Sequence, residues 1–139
     1  MNKKTKIESI KIDLQAIRRD IVGLRQHYLA GDFTPADLID AIIMQRDKVC
    51  DNPIWISALS RQDIQAYLNA LVDKDIADLP LYGVPFAIKD NIDLAGVPTT
   101  AGCEAYRFVP LEHAHVVGEL LKAGAIPIGK TNLDQFATG

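Results

Sequence analysis

Serine is scarce in this chain: among 139 residues only Ser9, Ser57 and Ser60 occur. No G-x-S-x-G and no S-x-x-K string is present, which excludes the serine elbow of α/β hydrolases and the lysine-adjacent serine of β-lactamase-like sites. Cysteine is scarcer still. Cys50 and Cys103 lie far apart and outside any C-x-x-C spacing, so neither a disulfide framework nor a zinc site is indicated, and both read as reduced thiols of a cytoplasmic protein. An excess of positive charge is also missing: the net charge is −3, leaving no basic field to hold nucleic acid or an anionic membrane. No apolar run approaches the roughly 20 residues of a membrane span. The basic start Met1-Asn2-Lys3-Lys4 leads into alternating polar residues, so no signal peptide is expected. What is present is 48% apolar and 24% charged residues, the balance of a chain that buries a core.

That balance is unevenly spread. Residues 1–79 hold 23 of the 33 charged side chains but only 2 of the 9 glycines and 2 of the 7 prolines; residues 80–139 hold the remainder. The first part reads as a helical segment and the second as the start of an α/β core. Leu14, Ile17, Ile21, Leu24 and Tyr28 follow helical spacing and predict one amphipathic helix ended by Gly31. Thr34, Pro35 and Asp37 announce a second, with a buried stripe of Leu38, Ala41, Ile42, Gln45 and Val49. Ser60 and Asp63 open a third, burying Ile64, Tyr67, Leu68 and Leu71. Between the last two, residues 52–56 read as a short extended segment pinned by Trp55, the only tryptophan.

Past residue 80 the pattern shortens. Val84–Ile88 is an apolar run consistent with a buried strand, and Ala125–Gly129 is another. Residues 114–123 read as a helix, with Val116, Val117, Leu120 and Leu121 apolar and Gly124 just beyond its end. Strand, helix and strand make a βαβ unit, so the sheet is parallel here. Both strands end in a polar cluster: Lys89-Asp90-Asn91 and Lys130-Thr131-Asn132. Ligands of open α/β sheets collect at the carboxyl ends of strands, so chemistry is sought at these two lysines.

Three constellations stand out. Residues 124–131 match G-x-x-x-x-G-K-[ST] letter for letter. However, a helix precedes the first glycine and Pro127 lacks an amide proton, so a phosphate cradle is not expected. Lys89 follows an apolar strand. An ammonium packed against that strand end would lose hydration and its pKa would fall, giving a general base or a Schiff-base amine; the alternative is a structural lysine paired with Asp90 or Asp93. His113 and His115 share an extended spacing, but no third ligand completes a metal site, so no metal or cofactor is expected. Cys103 and Asp134 receive no role.

The stretch Leu81–Ile92, with Ala95–Gly102, Gly118–Gly124 and Gly129-Lys130-Thr131-Asn132, resembles the opening of the amidase signature family. The likeness is strong from residue 80 and weak before residue 28. It implies a mixed α/β sheet and hydrolysis of a C–N amide bond in a small molecule through a Ser–cis-Ser–Lys triad. Lys89 corresponds to the triad lysine; the two serines and the glycine-rich oxyanion loop have no counterpart up to Gly139. The expectation is therefore an incomplete amidase domain, inactive alone and poorly stable, with its sheet edges unpaired. Self-association of the full-length protein stays open. Outside the family, the alternatives are a nucleotide-binding protein built on residues 124–131 and a non-catalytic interaction module.

Overall fold

The computed structural model describes residues 11–49 and 51–139; Cys50 lies outside the described residues. The Asp20 carboxylate accepts the Gly23 amide at 2.6 Å and opens helix α1, Ile21–Ala30. Gly31 closes it in the left-handed region at φ 74°, which a residue without Cβ enters freely. Periodicity placed the start of this helix near Leu14, but residues 14–16 form a turn. Leu14 and Ile17 still pack against Leu24, Tyr28, Phe33 and Leu38. With Asp20 as cap, Ile21 falls in the first turn on the outer face and is 49% exposed.

Helix α2, Pro35–Arg46, begins with the expected reciprocal cap between Thr34 and Asp37. Its inner surface is wider than the predicted stripe because it lies between two apolar clusters. Leu38 and Ile42 face the α1 cluster, while Ile39 and Ile43 face a larger core containing Ile64, Leu68, Ile88 and Ile126. Gln45 and Val49 are exposed rather than buried. Arg46 ends the helix, its guanidinium donating to the carbonyls of Leu59 at 2.9 Å and Ile128 at 3.3 Å.

The extended segment becomes strand β1, Trp55–Ala58, and the Ser60–Asp63 capping box opens α3, Arg61–Asn69. Strand β2, Pro85–Lys89, helix α4, His115–Lys122, and strand β3, Ile126–Thr131, form the predicted βαβ unit. On α4 the inward residue is Val117; Val116 is 54% exposed. The sheet is mixed, in the order β1-β3-β2, with β2 parallel and β1 antiparallel to the central β3. Thus a strand from the first 79 residues pairs with one from the last 60.

Two irregularities shape this sheet. The register between β2 and β3 shifts after Phe86, which pairs with Pro127 while Ala87 pairs with Gly129, leaving Ile128 as an extra residue. The second shift falls between Trp55 and Ser57, which pair with Thr131 and Lys130, one residue before the Ala58–Gly129 pair. A Cβ at Gly129 would lie 2.7 Å from both the Ser57 carbonyl oxygen and the Trp55 ring. Trp55 therefore lies flat on the strand only because this position carries no side chain.

Candidate active site

The carboxyl ends of β2 and β3 lie side by side, with Ile88 opposite Lys130 and Lys89 opposite Thr131. Successive strand residues face opposite sides of the sheet. Ala87, Lys89 and Thr131 accordingly line one concavity of about 470 Å³, closed further by Asn132, Leu133 and Asp134. Ile88, Asp90 and Lys130 turn into the protein, the last two with no exposed surface.

Behind the concavity, charge is buried. The Lys130 ammonium stands 3.3 Å from Asp90 Oδ1. It donates to Thr99 Oγ1 at 3.1 Å and to the Pro98 carbonyl at 3.3 Å. Asp90 Oδ2 accepts the Thr100 amide at 2.9 Å and the Thr100 hydroxyl. The Thr99 hydroxyl in turn donates to Asp93 Oδ1 at 2.8 Å. Backbone bonds complete the framework: Asp90 N to Thr131 O, Ala101 N to Asp90 O and Phe136 N to Ala101 O. Two strand ends, the 98–102 turn and the closing segment are thereby tied through Asp90 and its neighbours.

Lys89 departs from the local picture drawn from sequence. It is exposed to the concavity, not packed against an apolar strand end, because alternation sends Ile88 inward and Lys89 outward. Nor is it held by Asp90 or Asp93, which are taken by Lys130 and Thr99; among the described residues its ammonium has no partner. What the site offers chemically is an accessible amine at a strand tip. The hydroxyl nearest in register, that of Thr131, donates to the Ile88 carbonyl at 3.4 Å.

The other candidates fall elsewhere. Residues 126–131 of the G-x-x-x-x-G-K-T string are strand, paired with β2 and from Gly129 onward with β1 as well, and Lys130 is buried on a carboxylate, so no loop of free amides faces a phosphate. His113 Nδ1 accepts the Ala95 amide at 3.1 Å and His115 is the first residue of α4. Among the described residues no group of three His, Cys, Asp or Glu side chains could hold a metal, and no helix is long and apolar enough to cross a membrane. Cys103 is half-buried before a 3₁₀ turn, whereas Asp134 does line the concavity. Sequence reasoning missed the pairing of Lys130 with Asp90. Its only trace was a carboxylate and a lysine at neighbouring strand ends, and which of the two lysines takes Asp90 depends on register.

The family model "Amidase" matches residues 49–139, and the chain belongs to that family. Within it, the chain resembles the allophanate-hydrolysing branch. It is 43% identical over 103 residues to urea amidolyase of Saccharomyces cerevisiae, a match covering 73% of this chain and 6% of that protein. The structure of Kluyveromyces lactis allophanate hydrolase superposes with a TM-score of 0.70 at 42% identity, covering 83% of this chain and 20% of that one. The A subunit of glutamyl-tRNA(Gln) amidotransferase from Lacticaseibacillus paracasei is 40% identical over 126 residues, 88% of this chain and 26% of the subunit. The chain thus spans about a quarter or less of the length of these relatives.

Proposed function

We propose that this chain carries the lysine of an amidase that hydrolyses allophanate, a small molecule with a C–N amide bond, to ammonia and carbon dioxide. The observation that carries the reading is Lys89: an amine without a partner among the described residues that lines a concavity, at the position of the family's G-V-P-x-x-x-K-D lysine. In the mechanism the resemblance implies, the neutral amine takes a proton through a bridging serine. The nucleophilic serine so activated attacks the carbonyl, and backbone amides hold the oxyanion. Ammonia leaves, and water releases the acyl group. Ser57 lies in β1 and Ser60 caps α3, neither lines the concavity with Lys89, and Ser9 lies outside the described residues; the two triad serines are assigned to none of them.

The 139-residue chain alone is expected to release no ammonia from allophanate. Grafted in place of the matching segment of the K. lactis enzyme, it is expected to support release, and Lys89→Ala in the graft should cut kcat at least about a thousandfold, since triad members act as a unit. Full activity of the Lys89→Ala graft would overturn the reading. The match to the amidotransferase subunit supports a second reading, part of the A subunit of a glutamyl-tRNA(Gln) amidotransferase, and a graft that works in that subunit but not in the K. lactis enzyme would favour it.

A further inference from the structure

A carboxylate next in sequence to a general-base lysine poses an electrostatic problem. Asp90 ionised would stabilise the Lys89 cation and hold on to the proton that the base must lose. The structure holds the answer on the reverse face of the strand. Asp90 and Lys130 are both fully buried, 3.3 Å apart, so the negative charge behind Lys89 is matched by a positive one at the same depth. We infer that Lys130 is the neutralising counter-charge of Asp90, and that the pair serves Lys89 in two ways: it fixes the strand end that presents the amine and cancels the field that would keep the amine charged. This inference rests on the reading of Lys89 as the base.

The geometry supports both roles. Asp90 Oδ2 is saturated by the Thr100 amide and hydroxyl, which fixes the turn beside the strand tip. Asp90 Oδ1 has no hydrogen-bond partner among the described residues and is left to the Lys130 charge alone. Lys130 spends its other protons on Thr99 and Pro98 of the same turn. Of the nearby carboxylates in sequence and space, Asp134 shares the concavity with Lys89, and Asp93 accepts the Thr99 hydroxyl. Among the described residues, Lys130 is the cation that the structure pairs with Asp90. Asp90 and Lys130 are positioning residues: neither faces the concavity.

The test is direct titration of the Lys89 side chain by NMR in the graft within the K. lactis enzyme, its signal assigned by loss in Lys89→Arg. Asp90→Asn removes a negative charge and should move the Lys89 midpoint down by about half a pH unit or more; Lys130→Met removes a positive one and should move it up by a similar amount. The double variant Asp90→Asn/Lys130→Met should titrate as the parent does. No shift in either single variant, shifts of one sign in both, or a displaced double variant would overturn the inference. If neither single variant folds, a displaced midpoint in the double variant still overturns the inference. Loss of Lys89-dependent turnover with this titration pattern intact would sink the proposed reaction and leave the electrostatic pair standing.

Discussion

At the scale of single residues, the site depends on side chains that never touch the concavity. A buried ion pair adds little net stability over an apolar pair, because desolvation offsets the Coulomb gain. The presence of Asp90 and Lys130 in the interior therefore calls for an explanation other than stability, and their place behind Lys89 supplies one. Gly129 makes a second point at this scale. Its neighbour Lys130 is aimed inward only while β3 stays flush with β1, and that contact requires the Trp55 ring to lie where a Cβ would be. Gly129→Ala should therefore cost about 2–3 kcal/mol, as overpacking against backbone and a rigid ring does. Urea unfolding followed by Trp55 fluorescence would measure it.

At the scale of elements, helix starts are set by side chains that accept backbone protons. Asp20, Thr34 and Ser60 each receive an amide from three residues on. The Ser60–Asp63 box has a pH consequence. Hydrogen bonds from the Ser60 hydroxyl and amide hold the Asp63 carboxyl below its ordinary range. A carboxylate whose folded pKa is depressed adds stability above its unfolded pKa and loses it as pH falls through the folded value. The parent should therefore lose more stability than Asp63→Asn between about pH 5 and pH 2, read from thermal melts across that range. The group is almost fully exposed, so the difference will be small.

At the scale of the molecule, one buried phenol joins the two halves of the chain. The Tyr28 hydroxyl on α1 donates to the Gly83 carbonyl at 2.8 Å, just ahead of β2. Burial, with a smaller contribution from Tyr82, pushes its pKa well above the ordinary phenol range. A raised folded pKa means stability that is fully present below the unfolded pKa and lost as pH rises beyond it, here above about pH 10. Tyr28→Phe should cost about 1 kcal/mol at neutral pH through the lost hydrogen bond. It should also flatten the fall in stability from about pH 9.5 to 11 seen in the parent by urea unfolding.

Much of this architecture was legible in the sequence, and the failures have identifiable causes. The caps at Thr34 and Ser60, the two parallel strands and the lysine at the strand tip all follow from local patterns that tertiary structure did not override. The start of α1 was misplaced because Leu14 and Ile17 keep helical spacing while reaching the same cluster from a turn. The faces of α2 and α4 were read too simply: a helix between two clusters buries more than one stripe, and Val116 faces outward on a helix that buries Val117. The Asp90–Lys130 pair joins residues forty positions apart through a sheet irregularity, and single-chain periodicity carries no information about such a slip.

That slip has a consequence for the two lysines. Counting forward from the Phe86–Pro127 pair with no slip, so that Ala87 pairs with Ile128, Lys89 would stand abreast of Lys130. Two ammonium groups would then project from one surface and repel each other. A single inserted residue sends one amine toward the solvent-filled hollow and the other toward the carboxylate beneath it.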